Sequence, residues 1–406
     1  MGEVHNWEWR IGNWEYDRKL GVGDGNRCHS LSAFVAWSRD PVLEFYCPFP
    51  INRADVHNPP PKTYFGFPMT NAAQTLAKRS LTGIKPTGEP HLGNWLGAIE
   101  PALALARDYE TYYFIADYHA LTTVKSGDDL RKYMRDIAAA YLAFGLDPQR
   151  SVFYRQSDVP EIFELSWILS CFTPKGFMNR AHAYKDFVAR NLKAEKDEDA
   201  DINMGLFGYP VLMAADILMF NADVVPVGAD QIQHVEFARD IAGRFNQNYG
   251  QDVFVLPEPR ISETVKTITG LDGRKMSKSY DNTIPLFLDE KKLLKRINQI
   301  VTNSQTPEEP KNPDESHVFA MHQLLLDEAG EAAVRATYAA GGMGWGQAKK
   351  MFFETLNERL KGPREEYNRL IADPAHLDAV LAAGKDKARA VAVPFLEKVR
   401  TMVGVR

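Results

Sequence analysis

Two short stretches carry residue types suited to holding a polyphosphate and to meeting the charge that develops when part of it leaves. The first is Thr82-Gly83-Ile84-Lys85-Pro86-Thr87-Gly88-Glu89-Pro90-His91-Leu92-Gly93-Asn94-Trp95, set between an apolar strand candidate and an amphipathic helix. Gly83, Gly88 and Gly93 permit positive φ and close backbone approach to a ligand, and Pro90 suits the first turn of a helix whose exposed N–H groups attract phosphate. Gly83 and Gly88 have Walker-loop spacing, but Glu89 stands where the phosphate-binding lysine is required, which excludes that reading. The second stretch is Arg274-Lys275-Met276-Ser277-Lys278-Ser279-Tyr280, after Thr269-Gly270-Leu271-Asp272-Gly273. Its two ammonium groups and two hydroxyls, on a glycine-preceded loop, match a departing pyrophosphate.

A third group lies on an apolar segment, 206–220, whose helix is expected to start at Pro210 and which carries one carboxylate. Tyr209, Met213 and Asp216 fall at i, i+4 and i+7 and share a face. A lone carboxylate in such company is costly unless bonded, and an indole N–H, which only donates, is a fitting ligand partner. Segment 225–246 then reads as a strand end, a turn at Gly228 and a helix opening on Asp230, a residue that also suits a helix cap.

The elements that must position these groups alternate from Ser80 onward. Strands are expected at 81–84, 112–116 and 152–155, with helices at 92–107 and 129–144. A mostly helical insertion at 161–220 precedes a strand at 223–227, a helix at 230–245 and a strand at 253–256. This is an α/β pattern, a doubly wound parallel sheet of Rossmann-like form whose βα turns gather at one edge, where ligands bind. Residues 69–284 are read as a catalytic domain and 285–406 as an α-helical one. Breaks are expected in the latter at 341–346 and at Gly362-Pro363, and Pro394 is expected to interrupt the helix before it. The glycines of 341–346, before Lys349 and Lys350, suggest a phosphate loop, but no strand precedes them and a helix-to-helix turn accounts for them.

Composition narrows the field. The chain has 406 residues, 45% hydrophobic and 25% charged, enough for more than one substantial core. No apolar run reaches the roughly 18 residues that cross a bilayer, and Glu3, His5 and Glu8 give no signal-peptide pattern, so a cytoplasmic location is expected. Cys28, Cys47 and Cys171 are scattered and odd in number, which excludes a disulfide framework or a four-thiolate metal site within one chain. A net charge of −5 gives no global basic field, so any nucleic acid must meet a local basic surface. Residues 1–68 hold four of the seven tryptophans and show no sustained period, which reads as a disordered extension or an upstream start, with Met69 a natural beginning.

His91-Leu92-Gly93-Asn94 resembles the HIGH signature of class I aminoacyl-tRNA synthetases, and Lys275-Met276-Ser277-Lys278-Ser279 resembles their KMSKS loop, placed between the last strand and the helical region. Gly228-Ala229-Asp230-Gln231, with the Ala-Ala-Asp helix around Asp216, resembles the bacterial tryptophanyl branch. The likeness extends through 114–122, 180–186 and 275–287 and covers about residue 78 to the end.

This resemblance implies activation of L-tryptophan by ATP to tryptophanyl-adenylate and transfer to the terminal ribose of tRNA(Trp), by a homodimer, with Mg²⁺ accompanying ATP and no protein metal cage. Carried over position by position, it puts Lys85, Pro86, Thr87, His91, Gly93 and Asn94 on ATP, with Gly228, Ala229, Asp230 and Gln231 at the nucleoside. Lys275, Met276, Ser277, Lys278 and Ser279 would grip the leaving phosphates, and His91, Lys275 and Lys278 are the catalytic candidates. It puts Asp216 on the indole N–H, Met213 and Val227 against the ring, and Tyr209, His119 and Gln231 near the amino-acid backbone. Lys85 departs from the glutamine that many bacterial members carry. A tyrosyl-type synthetase, a small-molecule nucleotidyltransferase and a catalytically silent tRNA-binding regulator are the competing readings. The phenol pocket, the long helical tail and the intact signature residues respectively argue against them.

Overall fold

The structure is a computed structural model and describes residues 77–228, 231–261 and 268–406. The expectations for 1–68 and Met69, and the site candidates Ala229 and Asp230, lie outside the described residues. From residue 77 the chain gives β1 (Arg79–Ile84), α1 (Leu92–Asn94), a π-helical turn (Trp95–Ile99), α2 (Glu100–Ala104), β2 (Glu110–Ile115), α3 (Asp117–Ala120), α4 (Gly127–Ala143) and β3 (Val152–Arg155). The insertion folds as α5 (Glu161–Cys171), α6 (Lys175–Met178), α7 (His182–Lys193) and α8 (Met204–Met219). It is followed by β4 (Val224–Pro226), α9 (Ile232–Tyr249) and β5 (Glu258–Arg260). Thereafter come α10 (Glu290–Ile297), α11 (His317–His322), α12 (Glu328–Ala340), α13 (Trp345–Ile371) and α14 (Pro374–Val403).

The five strands are all parallel in the order β3-β2-β1-β4-β5, the doubly wound sheet expected. The order reverses between β1 and β4, and a crevice opens at the carboxyl ends of strands at such a switch. Leu81, Phe114 and Tyr154 point to the face covered by α5, α8 and α9, while Tyr113, Ile115 and Phe153 point to the face covered by α4. Each strand therefore alternates between two apolar layers, as a sheet buried on both faces requires.

Several local expectations are corrected. The strand expected at 253–256 does not form; β5 begins at Glu258. Asn246 Oδ1 accepts the N–H groups of Val253 and Phe254 at 3.0 Å each, and Asn221 Oδ1 accepts that of Val255 at 3.0 Å, so side chains satisfy the backbone that a neighbouring strand would have paired. Helix α8 starts six residues before Pro210, because Asn203 Oδ1 caps the Leu206 N–H at 2.9 Å. Pro90 precedes α1 rather than occupying its first turn, and its carbonyl accepts the Leu286 N–H at 3.1 Å. Helices α13 and α14 run through Pro363 and Pro394. A helix-interior proline costs about 3 kcal/mol, and the apolar residues buried on both sides (Leu360 with Leu370, Ala392 with Leu396) offset it.

The helical region after Pro285 has two parts. Leu293, Ile297, Val318, Phe352 and Leu356 share a core with Leu92 and Met276. Helix α14 instead returns to the sheet, burying Ala388, Ala392, Leu396 and Val399 in the same cluster as Tyr112 and Tyr154. The seat is close: a Cβ on Gly384 would lie 1.7 Å from the Phe153 carbonyl oxygen in β3. Gly384→Ala should therefore cost about 3 kcal/mol, the upper range for overpacking, because backbone cannot yield as a side chain does. Urea unfolding measures this, and a loss under about 0.5 kcal/mol would mean that α14 is not seated on β3.

Candidate active site

A cavity of about 670 Å³ occupies the crevice between β1 and β4. One wall is Leu81, Thr82, Gly83 and Lys85 with Gly97, Ala98 and Pro101; another is Val225, Val227, Gly228 and Gln231; the insertion supplies Tyr209, Met213 and Asp216, and His119 closes the end. Most of this lining is apolar in side-chain type, with several polar groups converging on it, the usual form of a site for a ring-bearing small molecule.

Gly83 is required here for space rather than for positive φ. It pairs with Phe114 across the sheet, and a Cβ would fall 2.4 Å from that ring. Of the three loop glycines only Gly88 takes positive φ, at 131°, while Gly93 sits inside α1 against His91 and Met276. The Thr82 hydroxyl is buried beside the cavity without a hydrogen-bond partner.

The three residues predicted to share a face of α8 all reach the cavity. Asp216 is 0% exposed, and its donors come from elsewhere in the chain. Gln156 Nε2 lies 2.9 Å from both carboxylate oxygens, and His119 Nε2 lies 2.9 Å from Oδ2. A carboxylate accepts about four hydrogen bonds, so capacity remains for a donor arriving in the cavity. Burial pushes the Asp216 pKa above the ordinary carboxylate range, and the bonds from His119 and Gln156 oppose the shift. Gln156 is held in turn: the adjacent Ser157 gives its N–H to Asp117 Oδ1 at 3.1 Å and its hydroxyl to Asp117 Oδ2. Neither Gln156 nor Ser157 was among the sequence candidates, because nothing local to β3 reveals a partner 60 residues ahead. Tyr209 hydrogen-bonds His234 at 2.5 Å, and burial raises its pKa to about 12, so it stays a neutral phenol.

The two signature loops meet beside this cavity. Leu92 and Met276 are buried in one core, so the Met276 side chain serves packing. His91 caps α1, pairs with Pro285 and is buried; its pKa falls to about 4, first from burial and then from Lys278, so it is neutral at physiological pH. Asn94 closes the capping box by accepting the His91 N–H at 3.1 Å. Lys278 reaches back to the first loop: a Cβ on Gly88 would be 3.2 Å from its Cδ and from its Nζ. Ser277 and Ser279 bond each other at 2.8 Å, and the Asn282 amide ties the loop to Asp272 and the Lys275 carbonyl. Lys275 is on the exposed side of that turn, while Lys85, at the cavity edge, donates to Thr122 Oγ1 at 2.7 Å. Pro86 is buried and Thr87 exposed on the loop between.

The buried carboxylate yields a pH-dependent prediction. Gln156→Leu removes a hydrogen bond to a charged group and should cost about 2 kcal/mol. Because the folded pKa of Asp216 is already raised and would rise further, the penalty is that of keeping it ionised: absent while the carboxyl is protonated and growing as pH rises through its folded pKa. Urea unfolding should show a larger gap between parent and variant at pH 8 than at pH 5; a gap that widened toward acid would refute this description of Asp216.

A sequence model of the tRNA synthetases class I (W and Y) matches residues 75–361. The tryptophan–tRNA ligase of Pseudomonas aeruginosa is 52% identical over 335 residues, 82% of this chain and 75% of that protein. That of Neisseria meningitidis is 52% identical over 332 residues, 81% of this chain and 98% of its own. Among solved structures, the tryptophanyl-tRNA synthetase of Campylobacter jejuni complexed with ADP and tryptophan is 46% identical, covers 80% of this chain and 99% of that one, and superposes with a TM-score of 0.73.

Proposed function

The chain belongs to the class I tRNA synthetases of the tryptophan and tyrosine group, and from that membership we propose how its cavity and loops divide the work of activating L-tryptophan. The reaction is tryptophan–tRNA ligation. The tryptophan carboxylate attacks the α-phosphorus of ATP, the bond to the β-phosphate oxygen breaks and pyrophosphate leaves. A hydroxyl of the terminal ribose of tRNA(Trp) then attacks the adenylate carbonyl, and AMP leaves.

The observation that carries the assignment of parts is the fully buried Asp216 carboxylate on the wall of a mostly apolar cavity. In this reading it accepts the indole N–H, Met213 and Val227 enclose the ring, and Tyr209, His119 and Gln231 face the amino-acid end. His119 also bonds Asp216, so it acts on both ends of the pocket. Lys85, Pro86, Thr87, Gly93 and Asn94 hold ATP along the first loop, and Gly228 with Gln231 meets the nucleoside. His91 serves as a neutral donor, and Lys275 and Lys278, with Ser277 and Ser279, meet the departing phosphates. Such charges act mainly on the transition state, where negative charge moves onto pyrophosphate. Among the described residues no three His, Cys, Asp or Glu side chains converge on a metal position. Mg²⁺ is proposed as a companion of ATP, held by phosphate and water.

The same reading includes a homodimer and a cytoplasmic enzyme. Helix α5 presents Trp167 at 72% exposure one turn after Phe163, whose ring lies 4.3 Å from that of Tyr118, itself 44% exposed; this apolar strip supports pairing with a second copy. Among the described residues no helix is long and apolar enough to cross a membrane.

Purified protein should catalyse ATP–pyrophosphate exchange that depends on tryptophan and not on tyrosine. Lys278→Ala should slow single-turnover activation about 100-fold to 1,000-fold, the scale of one lost preorganised donor, with the tryptophan KM little changed. Exchange driven by tyrosine, or unaltered activation in the variant, would refute the reading.

A further inference from the structure

A buried imidazole behind the cavity wall takes no part in the reaction steps above. His234 lies on α9 one turn after Gln231 and is 3% exposed. Its Nε2 is 2.5 Å from the hydroxyl oxygen of Tyr209, which is on the wall, and the two ring centroids are 5.2 Å apart. The Tyr209 ring also meets that of His119 edge-on at 6.2 Å, and His119 bonds Asp216 at 2.9 Å. A continuous line therefore runs from the indole-facing carboxylate to His234, and the Tyr209 hydroxyl is its member at the amino-acid end.

The direction of the bond between Tyr209 and His234 decides what that hydroxyl offers a ligand. A phenol has one proton to give and lone pairs to accept with, and a neutral imidazole has one nitrogen of each kind. Bonds from N–H groups to oxygen are seldom shorter than about 2.7 Å, whereas those given by hydroxyl groups reach down to about 2.5 Å. At 2.5 Å the Tyr209 hydroxyl is the donor and His234 Nε2 the acceptor. Burial, with Asp186 adding to it, raises the Tyr209 pKa to about 12, so the phenol keeps its proton to give. With that proton committed, the oxygen has only lone pairs left for the cavity. Of the two charged groups of a free amino acid, the carboxylate must be left to attack phosphorus. The ammonium, which only donates, is the group such an oxygen fits.

We propose that His234 is a positioning residue for recognition of the tryptophan ammonium: by taking the Tyr209 proton, it fixes the phenol oxygen as an acceptor for that group. The proposal rests on the reading of Tyr209 as facing the amino-acid end of the cavity. His234 touches no substrate and acts through Tyr209 alone. Without it, the phenol proton is free to swing toward the ligand, where it meets a group that also carries only donors. A glutamine in its place restores the acceptor, because its amide oxygen sits as many bonds from Cβ as Nε2 does and takes a proton from the hydroxyl in the same way.

The test uses the full chain and isothermal titration with two ligands, tryptophan and 3-indolepropionate, which keeps the indole and the carboxylate but has no ammonium. The ratio of their Kd values measures ammonium recognition. In His234→Leu the ratio should fall about ten-fold, through weaker tryptophan binding with 3-indolepropionate little changed, the scale of one hydrogen bond to a charged group. In His234→Gln it should stay within about three-fold of the parent, and in Tyr209→Phe it should fall at least as far as in His234→Leu. A structural role alone would weaken both ligands alike and leave the ratio where it was. A ratio that holds in His234→Leu but falls in Tyr209→Phe overturns the positioning role and leaves Tyr209 at the amino-acid end. A ratio that holds in Tyr209→Phe overturns that placement of Tyr209 and the proposal with it. Should His234→Leu fail to fold by thermal melting, ¹⁵N NMR of the histidine-labelled parent decides, the His234 signals being identified by their loss in His234→Gln. An unprotonated Nε2 agrees with the proposal, and a protonated one overturns it.

Discussion

A single carboxylate placed where no water reaches it sets the terms for one half of this molecule. Asp216 sits in the middle of an apolar helix, fully buried, and its cost must be met by donors. Gln156, just after β3, and His119 in α3 supply them, and Asp117, bonded to Ser157, fixes the turn that aims Gln156. Strand ends and insertion are thereby locked to a common point. The same arrangement leaves the carboxylate on the wall of the cavity with lone-pair capacity to spare.

The other half depends on two loops far apart in sequence sharing one apolar core. Leu92 follows His91, and Met276 precedes Lys278 by two residues; both are buried with Leu293, Phe319 and Phe352 of the helical region. Anchoring through these neighbours lets the polar members of each loop face each other, and Lys278 lies on the Gly88 backbone as a result. The helical region therefore does more than extend the chain: it is the floor on which the two loops are assembled, while α14 passes back across to brace β3.

Much of this was legible in the residues. Strand 152–155 matches β3, the helical spacing of Tyr209, Met213 and Asp216 delivered all three to the cavity, and the two signature stretches converged as their chemistry demands. The failures have a common cause, namely that local rules were overruled by partners distant in sequence. Pro363 and Pro394 did not end their helices because packing on both sides outweighs one lost hydrogen bond. Residues 253–256 did not form a strand because Asn246 and Asn221 satisfy their backbone. Gln156, a neutral residue at the end of an apolar strand, carried no local signal of its role, and the glycine at 83 was required by a ring in the next strand rather than by backbone conformation.

Whether Asp216 reads the indole N–H is decided by an analogue that differs from tryptophan at that atom alone. Benzothienyl-alanine places sulfur where tryptophan has N–H. The parent should prefer tryptophan by about ten-fold to somewhat over a hundred-fold in kcat/KM for activation, the value of one hydrogen bond to a charged acceptor at about 1.5 to 3 kcal/mol. In Asp216→Ala that preference should collapse toward unity. An undiminished preference in the variant would contradict the claim and leave Asp216 a structural residue, with the indole N–H recognised elsewhere.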